Sequence, residues 1–212
     1  MACRWWFRRA FDPQCLRTLC AGKPLELARI AGRKNARFWL CLVNSTSVQT
    51  QREGECTILL AREGGSTPLS RLTFSLLAIE GRPALAIGGL QGPAHGHKRE
   101  VIEATRELFG LRPKDATLLA ARAIAEALGA NVHAVDDARH VHRPLPNDPK
   151  LSSYDRYWAE RGAVVGGPLG FVLPPLTAVA AASKGRDGVK LAIADGARGF
   201  VLENLRSAPG AP

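Results

Sequence analysis

Pro83-Ala-Leu-Ala-Ile-Gly-Gly-Leu-Gln-Gly-Pro93 opens the stretch on which the reading of the whole chain depends. Its apolar run is that of a buried strand, and Gly92-Pro93 stops it. Lys98-Arg-Glu-Val-Ile-Glu-Ala-Thr-Arg-Glu-Leu-Phe109 then sets Val101, Ile102, Thr105, Leu108 and Phe109 on one helical face, and Gly110 ends the helix. Pro113 suits the first position of a second helix, where its missing N–H is no loss, and Asp115 lies in the first turn against the helix dipole. From Lys114 to Leu128 only Arg122 and Glu126 form an evident polar stripe, so this helix is expected to be largely buried, with Gly129 as its stop. Asn131-Val-His-Ala-Val-Asp136 is a second short strand. Strand, helices, strand is a crossover unit. It predicts residues 83–90 and 131–136 as neighbouring parallel strands, with functional groups gathering where they end.

Upstream, Thr57-Ile-Leu-Leu-Ala61 and Arg71 to Glu80 read as strands joined to Pro83 by short turns, an antiparallel meander. The expectation is a mixed α/β sheet: a meander followed by the crossover. Residues 14 to 43 read as mainly helical, with Leu16, Leu19 and Cys20, then Leu25, Leu27 and Ile30, broken at Gly22-Lys-Pro24 and Gly32; Phe38 to Val43 fits a strand or a helix end. Downstream of Asp136-Asp137 come Arg139-His-Val-His-Arg143, a Pro-rich linker, a short helix from Tyr154 to Arg161 capped at Ser152 or Ser153, and strands at 163–165 and 170–173. Three regions result: a basic, aromatic and helical N-terminal extension over 1–54, an α/β core over 55–175, and a weakly patterned C-terminal extension over 176–212.

The 212 residues carry 46% hydrophobic side chains and no 18-residue apolar run, which argues against a transmembrane helix. The formal net charge of +10 favours anionic partners: a membrane surface or lipid, or an acidic carrier or client protein. Much of the excess is Arg in an Ala- and Gly-rich chain, which genome composition also produces, and nucleic acid is the less expected partner. Cys3, Cys15, Cys20, Cys41 and Cys56 are odd in number, crowd the N-terminal quarter and form no Cys-x-x-Cys pair, as expected of a reduced, cytoplasmic protein without a zinc site. In Met1-Ala-Cys-Arg-Trp-Trp-Phe-Arg-Arg-Ala-Phe11, Arg8 and Arg9 interrupt what a signal peptide would keep apolar. The Trp and Arg mixture suits peripheral contact with the inner membrane, or else the aromatic rings fold back onto the domain.

Ile87-Gly-Gly-Leu-Gln-Gly-Pro93, Gly110-Leu-Arg-Pro-Lys114, His140-Val-His142, and Tyr154-Asp-Arg-Tyr-Trp158 with Arg161-Gly162 resemble, in order and spacing, the VirK/YbjX family of Gram-negative bacteria. The resemblance covers roughly residues 55 to 175. It implies a role at the bacterial envelope, connected with virulence, surface assembly and resistance to cationic antimicrobial peptides. The order of elements also resembles the N-acetyltransferase superfold, GNAT, as do Ala127-Leu-Gly-Ala130 before a strand and Tyr154 seven residues before Arg161-Gly162. Gln91-Gly-Pro-Ala-His-Gly96 has the residue types of the GNAT phosphate loop at another spacing, and an extra helix intervenes. The acyl donor expected from this analogy is acyl-CoA or an acyl carrier protein. Fold analogy alone does not give function.

Two readings follow, an acyltransferase-like enzyme acting on surface or lipid components, and a non-catalytic accessory protein binding lipid or a client during surface assembly. The candidate site collects at the carboxyl ends of the parallel pair. Gly92 and Gly96 let backbone N–H groups approach an anion, Gln91 offers an amide, and His95 flanks the loop. His140, oriented by Asp136, is the expected general base, with His142 two residues on. Arg112 and Lys114 flank Pro113 at a helix start and can meet phosphate. Tyr154 and Trp158 complete the set as substrate- or cofactor-contacting aromatics. No metal is expected, since the His140/His142 pair lacks a third ligand at a known spacing.

Overall fold

Residues 11–93, 96–141, 153–176 and 184–205 are described by a computed structural model of the chain. Its centre is one eight-stranded sheet in the order β1-β2-β3-β4-β5-β6-β8-β7. The strands are β1 (Leu25–Ala31), β2 (Arg37–Asn44), β3 (Cys56–Arg62), β4 (Ser70–Ile79), β5 (Arg82–Gln91), β6 (Asn131–Val135), β7 (Val164–Val165) and β8 (Gly170–Leu173). The first five form an antiparallel meander. β5 and β6 pair in parallel from Ala84↔Asn131 to Ile87↔Ala134, and β8 returns antiparallel between β6 and β7. The crossover from β5 to β6 runs through α2 (Lys98–Glu107) and α3 (Pro113–Ala127).

Period-two alternation decides which face of the sheet is covered. Phe38, Leu40 and Leu42 of β2, Ile58 and Leu60 of β3, Leu72, Phe74 and Leu76 of β4, and Leu85 and Ile87 of β5 fall in one buried cluster. α3 lies across β3, β4, β5 and β6 on that face. Its alanines at 116, 120, 121, 123 and 125 are buried, and their small size allows close approach. A polar contact across this packing, Ser70 Oγ to Thr117 Oγ1 at 3.0 Å, satisfies both buried hydroxyls.

The N-terminal region departs from the helical expectation. Among its described residues α1 (Pro13–Cys20) is α-helical, with the Asp12 carboxylate accepting from Gln14 N–H at 2.6 Å and Pro13 in the first turn, and two single 3-10 turns lie at Arg33–Asn35 and Ser45–Val48. Residues 25–31 and 37–44 are strands that extend the meander, so the sheet runs on across residue 54. The cause is a register shift between Glu26 and Ala28. The bulge puts Leu27 and Ala28 both in the core, which breaks the alternation by which a strand is recognised.

The C-terminal region also differs. Gly185–Asn204 is a 20-residue helix, α5, whose Val189, Ile193, Ala194, Ala197, Phe200 and Val201 are buried. It packs on α3 and β1. The glycines that weaken its sequence pattern are what let it seat. A Cβ on Gly196 would overlap the Leu27 carbonyl oxygen and lie 2.8 Å from the Ala28 Cβ, whereas one on Gly199 would meet nothing within 4 Å. Two substitutions three residues apart should therefore act in opposite directions. Gly196→Ala is expected to destabilise by about 1–3 kcal/mol through overpacking, and Gly199→Ala to stabilise by about 0.5–1 kcal/mol through helix propensity. Urea unfolding of both variants checks this; equal shifts would show that α5 does not seat through Gly196.

Candidate functional site

β5 carries an extra residue. Thr73 faces Gly89 while Phe74 faces Ile87, so Gly88 is bulged out of the ladder just before the strand ends. Onto this spot the segment between β2 and β3 folds back. Asn44 caps its first turn by accepting from Thr46 N–H at 2.9 Å, and Ser45 Oγ donates to Gly54 O at 2.7 Å. Thr50, Thr57 and Thr73 form a buried hydroxyl chain with steps of 2.8 and 3.0 Å. The segment so held delivers Glu53 against the two glycines. A Cβ on Gly88 would overlap the Glu53 carbonyl oxygen, and one on Gly89 would overlap its carboxylate.

The Glu53 carboxylate is 1% exposed. Its Oε1 accepts from Gln91 Nε2 and lies 3.3 Å from His140 Nε2; its Oε2 is buried with no hydrogen-bond partner among the described residues. An ionised carboxylate is costly to bury unless paired, so the imidazole and amide are what make this position tenable. His140 follows β6 on a turn closed by its own N–H donating to Asp136 O at 3.1 Å. Its ring lies 4.7 Å from that of Tyr154, whose hydroxyl accepts from Leu90 N–H at 3.0 Å. Burial pushes the Tyr154 phenol up to about 12, against the pull of the Leu90 N–H, so it stays protonated across the physiological range. Tyr154 begins α4 (Tyr154–Ala159), and Asp137 fixes that start: its carboxylate accepts from Tyr154 N–H at 2.9 Å and from Ser153 Oγ at 2.6 Å.

Gln91, His140 and Tyr154 thus meet around one acid, but that acid is Glu53 and not Asp136. Asp136 is engaged elsewhere: its carboxylate accepts the Arg139 backbone N–H at 2.7 Å and pairs with the Arg139 guanidinium. It also packs against Gly170, where an added Cβ would come within 2.5 Å of Asp136 Oδ2 and the φ of +113° disfavours any side chain. Trp158 is corrected as well. It is fully buried, and its indole N–H donates to Val135 O at 2.8 Å, which makes it a core residue out of a ligand's reach. Gly92 adjoins Lys114, with 3.9 Å between an added Cβ and the lysine Cε. Burial lowers the Lys114 ammonium pKa, helped by the charge of Arg161. Gly96 has φ +95° in the turn before α2, and Arg112 is the exposed N-cap residue of α3. His95 and His142 lie outside the described residues.

Glu53 had no signal of its own, lying in a polar segment that reads as loop. The indirect signal was Gly88-Gly89 inside a strand, since glycine there marks a close approach of something else. A second histidine, His133 in β6, is buried with Nδ1 unpartnered among the described residues. Burial lowers its pKa from the ordinary 6.5. The unfolded chain then takes up the proton more readily than the folded one. Stability is full above about pH 6.5 and should fall on acidification below it, with a limiting slope of about 1.4 kcal/mol per pH unit. Thermal unfolding of wild type against His133→Asn between pH 7.5 and 5 tests this: an identical acid slope in both proteins would count against it.

A mixed α/β sheet with a buried carboxylate–imidazole pair beyond the carboxyl end of its parallel strands defines the class of protein. The chain belongs to the family described as "Protein of unknown function (DUF535)", which it matches over residues 5–180. It is 31% identical over 156 residues to the "Uncharacterized protein YbjX" of Escherichia coli (strain K12), covering 71% of this chain and 46% of that protein. The chain therefore spans about half the length of this curated relative. The VirK/YbjX resemblance read from the motifs is thereby confirmed. No solved structure matches the chain. Among the described residues, no helix is long and apolar enough to cross a membrane, and no group of three or more His, Cys, Asp or Glu is arranged to hold a metal ion.

Proposed function

We propose that the protein is an acyltransferase-like enzyme of the envelope, with Glu53 and His140 as its proton-transfer pair. The observation that carries this is the Glu53 carboxylate, shared by Gln91 and His140 at the carboxyl end of β5. The strand plan supports it: a meander, a bulged strand, a parallel partner reached by a crossover, and a returning antiparallel hairpin, as in the GNAT superfold. The donor is an acyl thioester, acyl-CoA or an acyl carrier protein, and the acceptor an amine or hydroxyl of a surface or lipid component.

In this reading the Glu53 carboxylate, 3.3 Å from His140 Nε2, orients the imidazole that serves as the base. The imidazole takes the acceptor's N–H or O–H proton as the acceptor's nitrogen or oxygen bonds the acyl carbon. The carbon–sulfur bond breaks, and the imidazolium returns the proton to the departing thiolate. Tyr154, held protonated with its O–H donating to Leu90 O at a long 3.4 Å, is the donor that turns to the acyl oxygen. Incubation of the purified protein with acyl-CoA or acylated carrier and an amine acceptor should release free thiol above the buffer rate. No release from either donor would defeat the reading.

The net charge of +10 favours a second reading, a non-catalytic accessory protein that binds anionic lipid or a client at the inner membrane. Each basic group near an anionic surface contributes about 1 kcal/mol, so a few give weak, salt-sensitive binding. Co-sedimentation that is equal with neutral and anionic vesicles would remove it.

A further inference from the structure

We propose that the cleft between α3, α4 and α5 is a binding site for a phosphate-bearing ligand, separate from the Glu53–His140 pair. The cleft has a volume of about 550 Å³. Arg112, Arg122, Arg161, Arg186 and Lys190 line it, with Asp115 and Glu160 as the acids among its described lining residues.

Both acids are already committed. Asp115 accepts from the Tyr157 hydroxyl at 2.8 Å and from Arg161 Nε at 2.8 Å. Glu160 accepts from Arg156 Nε at 3.1 Å and from Arg161 NH1 at 3.4 Å. Of the wall's cations, Arg161 is neutralised by these contacts, and Lys190 pairs with the exposed Asp187 at 3.1 Å. The others are not. Arg112 and Arg186 have no carboxylate partner among the described residues. Arg122 donates to the carbonyls of Pro174 and Pro175, at 2.9 and 2.7 Å, which aim its guanidinium without cancelling its charge. Its Nε is buried without an acceptor among the described residues, and burial lowers its pKa. Three guanidinium groups share one concavity and their like charges repel, offset at Arg122 by Glu126, which is itself paired with Arg198. A multivalent anion relieves that repulsion, and planar guanidinium forks match the oxygens of phosphate.

The backbone adds to the same field. Glu126 of α3 and Arg198 of α5 are paired at 2.8 Å, each about three and a half turns into its own helix, and the first turns of both helices line the one cleft, so α3 and α5 run side by side in the same direction. Both N-termini therefore open on the cleft, where Arg112 and Arg186 sit, and neither N-cap residue makes a side-chain capping bond. Two positive dipole ends and the guanidinium groups of Arg112, Arg122 and Arg186 converge there. Chance surface charge would be scattered around the helices. The charge count suits a diphosphate, from a nucleotide-type cofactor or a phospholipid headgroup.

Calorimetric titration of the full chain with inorganic pyrophosphate tests the site. One pyrophosphate per chain is expected, with affinity falling as salt rises. Arg112→Gln/Arg186→Gln should weaken binding at least tenfold, with the ligand-free melting temperature unchanged or raised. Arg37→Gln/Arg82→Gln removes the same charge from exposed strand positions and should leave the affinity within twofold. Competition by adenosine 3′,5′-diphosphate would assign the source as a nucleotide, and competition by phosphatidylglycerol vesicles but not phosphatidylcholine ones as lipid. Non-saturable binding, or equal loss in both double variants, would show diffuse charge and overturn the proposal. Because the readout is pyrophosphate affinity, its failure is distinct from failure to turn over a thioester.

Discussion

Gly89→Ala is expected to destabilise the protein by about 3 kcal/mol, and Glu53→Ala in the same chain to restore most of that loss. The new Cβ would fall inside the Glu53 carboxylate, which is buried between Gln91 and His140 and cannot swing into solvent without breaking both contacts. Overpacking at a rigid site costs about 1–3 kcal/mol, and an orphaned buried polar contact adds about 1–3 kcal/mol. Removing the Glu53 side chain removes the clash. Gly88→Ala should be as damaging but not rescued, because there the new methyl meets the Glu53 backbone carbonyl, which every residue carries. Urea unfolding of the single and double variants is the measurement. Equal rescue at both positions, or at neither, would mean that Glu53 does not lie on Gly89.

The larger effect on activity is expected from the acid–imidazole pair. His140→Gln and Glu53→Gln keep nearly the same volume and hydrogen-bonding reach while removing the base or the charge that orients it. Each should lower thioester turnover by about 10²–10⁴-fold, the usual contribution of a positioned general base. Glu53→Gln should also leave the melting temperature unchanged or higher, because it replaces a buried charge by a neutral amide. Turnover within threefold of wild type in either variant would place proton transfer elsewhere.

The crossover was legible because each segment states its type locally: an apolar run closed by Gly92-Pro93, two helices stopped at Gly110 and Gly129, and a short second strand. β1 was not, because its bulge at Leu27 and Ala28 hides the alternation. α5 was missed because Gly188, Gly196 and Gly199 dilute a helical pattern that tertiary packing completes. At the site, Gln91, His140 and Tyr154 can be named from sequence as candidates because they lie in or just beyond the crossover, where the parallel strands end. Their acid was assigned to Asp136, the sequence neighbour, when it comes from Glu53 in a loop on the other side of the meander. Nothing in a linear pattern says which distant carboxylate will reach an imidazole. The Gly88-Gly89 pair recorded only that something approached.

The central claim is that Glu53 and His140 act as one unit, and a double-mutant cycle on thioester turnover tests it most directly. The rates of wild type, Glu53→Gln, His140→Gln and the double variant would be compared at a fixed acyl-CoA concentration. If the acid works through the imidazole, the double variant should be no slower than His140→Gln alone. Losses that multiply across the two positions would contradict the claim and show two independent contributions.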